Sequence, residues 1–185
     1  MRFNEHSDLA GQHAFLSASK YHWINYDDER LEEVWHSAQA ARRGTELHAF
    51  AHEAIRLGIK LPRSPKTLNA YVNDAIGYRM LTEQILFYSP NCYGTADSII
   101  FNRDVLRIHD LKTGLIAGSM NQLKVYAALF CLEYGFKPGN IEIILRIYQN
   151  DEVLEDLNDV DTIAHIMSKI IVFDQRIMDF QQIKG

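Results

Sequence analysis

The sequence predicts a mixed α/β fold in which helices flank one small sheet. Apolar residues recur at helical spacing in the first third of the chain, again over residues 119–134, and once more from residue 160. Between residues 83 and 112 the period drops to two, and turn residues separate the runs. With 185 residues, 47% of them hydrophobic, the chain can close one core, so a single domain over residues 1–185 is expected.

Residues 1–26 read as a polar lead-in with a short helix near residues 17–24. Residues 28–57 carry an apolar stripe through Leu31, Trp35, Ala38, Leu47, Phe50, Ala51 and Ala54, and Gly44 is expected to break that helix. Ser64 and Pro65 supply an N-cap and a first-turn proline for a second helix, whose buried face would be Leu68, Tyr71, Val72, Ala75 and Ile76. Strands follow at residues 83–88, 95–101 and 105–112, joined through Ser89-Pro90-Asn91 and a turn at Asn102-Arg103-Asp104. Residues 119–134 are helical and stop at Gly135. The isoleucine-rich residues 141–148 form one more buried strand, and a long helix from Val160 carries Ile163, Ile166, Met167, Ile170, Phe173, Ile177 and Phe180. The sheet is then a three-strand antiparallel meander plus a further strand.

Composition removes several classes of function. No apolar run reaches the ~18 residues of a membrane span. The N-terminus lacks the basic-then-apolar pattern of a signal peptide, which predicts a cytoplasmic protein without a membrane partner. Cys92 and Cys131 are too few for a disulfide scaffold or a four-cysteine iron–sulfur cluster, and Cys131 reads as a small core residue. The formal charge of −5 disfavours a nucleic-acid partner at first sight. Residues 151–161, however, hold six acids and no Lys or Arg, and without them the balance is +1. Net charge therefore decides nothing here. The acidic segment reads as a solvated loop leading into the last helix, whose N-terminus favours negative charge.

The second hairpin carries the chemistry. If Arg103 and Asp104 make a two-residue turn, Asn102 faces Val105 and Asp97 lies opposite Asp110. Alternation then puts Asp97, Ile99 and Phe101 on one face with Leu106, Ile108, Asp110 and Lys112. The apolar part of that face needs a helix over it, and its far end holds two carboxylates and an amine. Opposed like charges on neighbouring strands repel, and a hard divalent cation with oxygen ligands offsets the repulsion. Lys112 would orient or deprotonate a water, or act as a point charge on a phosphate. Taken alone, the group reads first as a Lys–Asp surface cluster at a strand end, since pairs of acids on strands are common. His48 sits on a helix upstream, and Gln122 and Tyr126, four apart, share a helix face. Each of these also has a structural account as a core or solvated residue. His48 and His52, again four apart, admit a zinc site, although the order His-Ala-Phe-Ala-His-Glu lacks the general base of His-Glu-x-x-His.

Four segments in order, Gly44-Thr-Glu-Leu-His48, Gly94-Thr-Ala-Asp97, Asp110-Leu-Lys112-Thr and Gln122-Leu-Lys-Val-Tyr126, resemble the RecB-type branch of the PD-(D/E)XK nucleases. That branch includes phage lambda-type and CRISPR-associated exonucleases. The resemblance spans residues 44–130, and the opening His13-Ala-Phe-Leu-Ser-Ala-Ser19 resembles the start of small phage-encoded members. It implies a restriction-endonuclease-like core and a Mg²⁺- or Mn²⁺-dependent deoxyribonuclease holding one or two ions. The expected partners are linear DNA ends, duplex or single-stranded, and a recombinase or single-strand annealing protein. The setting would be a bacterial host cytoplasm.

Carried over residue by residue, the resemblance makes His48, Asp97, Asp110 and the backbone carbonyl of Leu111 metal ligands. Lys112 becomes the catalytic lysine, and Gln122 and Tyr126 position it or the DNA backbone. Glu83 matches an acid often found near the metals, and equally a surface charge at a strand end. Ser17, Ser19, Arg42, Arg43, Thr113 and Lys124 are candidate phosphate contacts. Ala96 departs from the family pattern, standing where the superfamily name has proline. The cysteines of an iron–sulfur cluster are missing, so no cluster is expected. No Gly-x-x-x-x-Gly-Lys-Ser/Thr motor motif appears, so no nucleotide is expected either. Two rival readings remain: a nucleic-acid-binding or assembly module that kept the fold without catalysis, and a zinc hydrolase built on His48 and His52.

Overall fold

The computed structural model describes residues 14–114, 117–157 and 159–183. His13, which opens the N-terminal motif, lies outside them. The chain forms two compact units, Met1–Arg43 and Gly44–Gly185. In the first, a 3₁₀ segment Ala18–Asn25 is tied by the Trp23 indole N–H, which donates to the Ser17 carbonyl at 2.9 Å. Helix α1, Asp28–Leu57, begins where Asp27 Oδ1 accepts the Arg30 N–H at 2.8 Å, an N-cap by an acid at the positive end of the helix. The break expected at Gly44 is absent, because a glycine weakens a helix by only about 1 kcal/mol. What Gly44 supplies is space: a Cβ there would stand 2.7 Å from Thr113 Oγ1.

The second unit is built on a five-stranded mixed sheet in the order β1-β2-β3-β4-β5. Its strands are β1 Leu81–Ser89, β2 Cys92–Asn102, β3 Val105–Leu111, β4 Glu142–Gln149 and β5 Glu152–Leu157. β3 and β4 run parallel through the crossover helix α3, Met120–Tyr134, and the other neighbours are antiparallel. Asn102 faces Val105 as expected, and Arg103 and Asp104, at φ 49° and 60°, make the left-handed two-residue turn that this register requires. Ser119 caps α3 through the Asn121 N–H, and Gly135 ends it at φ 73°. The apolar face of the hairpin is covered by α3, with Leu123, Ala127, Ala128 and Phe130 packed on Ile99, Leu106, Ile108 and Ile147. Helix α4, Val160–Ile183, adds Ile163 and Ile170 to that core. On the opposite face, helix α2, Thr67–Tyr78, packs Tyr71, Val72 and Ala75 with Ala51 and Ala54 over Leu111 and Tyr148. Among the described residues no helix is long and apolar enough to cross a membrane.

Two expectations are corrected here. The acidic segment is not a loop: residues 152–157 form β5, an edge strand on β4, after a second left-handed turn at Asn150 and Asp151. α2 starts at Thr67 rather than at Ser64-Pro65, because its cap arrives from that turn. Asp151 Oδ1 accepts the Thr67 N–H at 2.8 Å and the Thr67 hydroxyl at 3.1 Å. Asp151→Ala is therefore expected to cost about 2 kcal/mol, combining a lost cap with a Cβ-bearing residue at φ 61° that has no polar side chain to ease it. Asp151→Asn should retain most of that stability. Urea unfolding checks this, and equal midpoints for Asp151→Ala and the parent chain would refute it.

Candidate active site

The last ladder pair of the β2–β3 hairpin is Ser98↔His109, and Asp97 and Asp110 stand one step beyond it. There the Asp97 carboxylate takes over from the ladder, with Oδ2 accepting the Leu111 N–H at 2.9 Å. His48, from the C-terminal part of α1, brings Nδ1 to 3.5 Å from the same oxygen. Asp110 is buried, at 2% exposure. Burial, and then the negative charge of Asp110, hold the Asp97 carboxyl above the usual carboxylate range. The Leu111 N–H, His48 and Lys112 pull it the other way.

Lys112 neutralises Asp110. Its Nζ donates to Oδ1 at 3.1 Å and stands 2.9 Å from Oδ2, but off the hydrogen-bonding direction, so Oδ2 stays buried without an aligned donor. A second Nζ proton goes to Gln122 Oε1 at 2.9 Å, and Gln122 Nε2 donates to the Tyr126 hydroxyl at 3.0 Å. The ammonium thus fixes the orientation of the Gln122 amide, since only the carbonyl end can accept from it. Two glycines make room for this chain. A Cβ at Gly94 would meet Tyr126 Cε1 at 2.9 Å, and one at Gly118 would meet Lys112 Cγ at 3.0 Å.

The face assigned to Asp97 by strand alternation is corrected. It does not share the α3 core with Ile99 and Phe101, which Ala96 joins instead. Asp97 lines a cavity of about 20 Å³ with His48, Ala51, His52, Tyr71 and Glu83. At this point the β1–β2 ladder keeps its register, holding Thr82↔Ser98 and Gln84↔Ala96, but the facing Glu83 and Asp97 are not paired, and Glu83 has φ 52°. Glu83, Asp97 and Asp110 consequently occupy neighbouring positions across three strands. The cavity has room for about one water-sized body.

Among the described residues, no three His, Cys, Asp or Glu side chains already stand at ligand spacing. The donor set nevertheless suits a hard cation: an imidazole and two carboxylates, one of which, Asp110, has a buried oxygen without an aligned donor. His52, which lines the same cavity, is engaged by Thr82, with Nδ1 2.7 Å from Thr82 Oγ1 and 3.7 Å from Glu83 Oε2.

The structure therefore gathers His48, Asp97, Asp110, Leu111, Lys112, Gln122 and Tyr126, with Glu83 at the rim. Lys124 is drawn away: its amine pairs with Asp156 at 2.9 Å and Asp159 at 2.5 Å, and only 12% of the side chain is exposed. Thr113 packs beside Gly44. Ser17, Ser19, Arg42 and Arg43 belong to the first unit, where the two serine hydroxyls lie 3.2 Å apart. Arg42 lines a cleft of about 470 Å³ there, with Phe15, Trp23, Tyr26 and Trp35.

Sequence reasoning missed two buried polar groups behind the site. Gln149 accepts the Gly118 N–H at 2.9 Å and donates to the Gly114 carbonyl at 2.6 Å, so one side chain holds both Gly114 and Gly118. A lone amide closing an isoleucine-rich strand was the available signal. His109, beside Asp110, is wholly buried, and burial, then Arg146 and Arg107, push it down to about 3, so it is neutral. The Tyr148 hydroxyl donates to Asp74 Oδ2 at 2.7 Å, which leaves the oxygen to accept from His109 Nδ1 at 3.3 Å.

A family model described as "Protein of unknown function (DUF2800)" matches residues 79–162, the stretch that holds the whole sheet and α3. No curated protein and no solved structure matches the chain.

Proposed function

We propose that the chain is a divalent-cation-dependent deoxyribonuclease of the RecB-type PD-(D/E)XK kind, acting on DNA ends. One observation carries the reading. Four segments spread over residues 48–126 supply a single connected group: His48 on Asp97, Asp97 and Asp110 side by side, Lys112 on Asp110, and Gln122 and Tyr126 behind Lys112. A mere surface cluster gives no reason for the amine to be held from two sides, nor for glycines at both contact points.

Asp97, Asp110, the Leu111 carbonyl and His48 would hold Mg²⁺ or Mn²⁺. When bound, such an ion lowers the pKa of a coordinated water and polarises the phosphate. Lys112 presents N–H donors toward the attacking oxygen and balances the negative charge that grows on the phosphoryl oxygens. Gln122 and Tyr126 restrict the lysine to the rotamer that faces Asp110, which lowers the entropy lost on reaching the reactive arrangement. In the reaction water adds to phosphorus, the P–O bond to the departing nucleotide breaks, and the departing oxygen takes up a proton.

The test is one panel of end-labelled linear duplex, end-labelled single strand and covalently closed circle, each with Mg²⁺, Mn²⁺ or EDTA. Loss of linear substrate with either metal, an intact circle, and no loss in EDTA are expected. A protein that binds these DNAs but cleaves none of them would be the silent assembly module instead.

A further inference from the structure

Between Glu53 and Asp74 the chain carries Arg56, Lys60, Arg63 and Lys66 and no acid, in a protein whose formal charge is −5. The middle of this stretch is the loop from α1 to α2, and it is held in shape from within. Asn73 exchanges two hydrogen bonds with the Leu61 backbone, accepting its N–H and donating to its carbonyl at 2.9 Å each. Asn69 Nδ2 donates to the Pro62 carbonyl at 2.9 Å and to Ser64 Oγ at 3.0 Å. Pro62 and Pro65 stiffen it further by fixing φ.

A cleft of about 510 Å³ opens on this loop, lined by Lys60, Arg63, Ser64, Asn73 and Asp74 among others. Arg56 is spent on Glu53, at 2.6 Å. Lys60 and Arg63 are exposed, and neither has an ion-pair or hydrogen-bond partner among the described residues. Ser64 Oγ already accepts from Asn69 and from the Lys66 N–H at 3.4 Å, so its own proton is left to donate outward. The one acid in the cleft is occupied: Asp74 Oδ2 takes the Tyr148 hydroxyl and lies 3.4 Å from Arg146. A preformed loop offering an ammonium, a guanidinium and a hydroxyl suits the oxygens of a phosphodiester.

We infer that Lys60, Arg63 and Ser64 form a secondary phosphate site for the DNA backbone, away from the bond that is cut. The inference rests on the nuclease reading and says where its substrate runs. From His48 to the end of α1 is about 13 Å of helix axis, or about four nucleotides of rise along one B-form strand. The scissile phosphate would then sit at Asp97 and Asp110, and the flanking duplex would be gripped at the loop.

The test measures binding of a labelled duplex in EDTA, where no cleavage occurs, as a function of salt. Each phosphate contact contributes about 0.9 to the slope of log K against log salt, so Lys60→Ala with Arg63→Ala should flatten it by about 1.8. Lys169→Ala with Arg176→Ala, two exposed cations on α4, removes the same charge and should leave the slope unchanged. Both loop cations are exposed, so the fold should be kept, and Mn²⁺ binding by calorimetry should match the parent chain. Equal flattening by both pairs, or none by the loop pair, overturns the site while leaving the nuclease reading intact. A parent chain that binds duplex with the loop-dependent slope but cleaves nothing keeps the phosphate site and removes the nuclease reading. A parent chain that binds no DNA removes both.

Discussion

Asp110→Asn is expected to abolish cleavage and weaken Mn²⁺ binding together, whereas Lys112→Ala should abolish cleavage alone. The asymmetry follows from what each side chain does in the site. Asp110 contributes formal charge and a buried oxygen without an aligned donor, and the amide that replaces it keeps the shape but not the charge. Lys112 supplies the counter-charge in the metal-free protein, 2.9 Å from that oxygen, so its removal leaves both carboxylates in place and takes away a competitor of the cation. Cleavage by Lys112→Ala should fall by at least ~10²-fold, the lower end of what a positioned acid–base group contributes. The same variant isolates a buried carboxylate, which should cost about 3 kcal/mol of stability in EDTA, and Mn²⁺ should restore it. Single-turnover cleavage of linear duplex, calorimetry with Mn²⁺ and thermal unfolding with and without metal separate these effects. Substantial cleavage by Lys112→Ala would remove the lysine from the mechanism. Metal binding lost equally in both variants would mean that Lys112 is itself needed to shape the ligand set.

Local rules made most of the fold legible. The Arg103-Asp104 turn set the hairpin register, Ser119 and Gly135 bounded α3, and the isoleucine run gave β4. What escaped depends on partners distant in sequence. β5 has no apolar face to announce it: its side chains are almost all exposed, and only pairing with β4 makes it a strand. The α2 cap comes from Asp151, 84 residues away. Lys124 reads as a free cation until Asp156 and Asp159 fold onto it. The candidate site was readable in part: hairpin register sets Asp97 against Asp110 and Lys112, and helix spacing puts Gln122 and Tyr126 on one face, but only the resemblance to the nucleases joined the two groups. The rule that failed there was alternation at Asp97, which the left-handed Glu83 faces on the neighbouring strand without pairing. Lys60 and Arg63 went unnoticed because a cation in a loop has no periodicity, and only the cleft around it gives it a purpose.

Asp97→Asn is expected to make the metal-free protein more stable while removing its activity. Burial and the neighbouring Asp110 charge hold the Asp97 carboxyl above its ordinary range, so the folded chain grips that proton more tightly than the unfolded chain does. By linkage, this group costs no stability at pH below the ordinary carboxylate range, where both states are protonated. The cost grows as pH rises through the window up to the raised value, and it is present in full above that window. At neutral pH the ionised Asp97 therefore destabilises the fold. An asparagine still accepts the Leu111 N–H through its carbonyl oxygen but brings no charge against Asp110. Thermal midpoints in EDTA should be higher for Asp97→Asn than for the parent chain at neutral pH, with the difference closing as the buffer is made acidic. Mn²⁺ should raise the midpoint of the parent chain and leave that of the variant nearly unmoved, while cleavage by the variant falls by at least ~10²-fold, as expected when a group acting in the transition state is lost. A variant less stable than its parent in EDTA at neutral pH would show that the two carboxylates do not repel, and that no cation is needed to offset them.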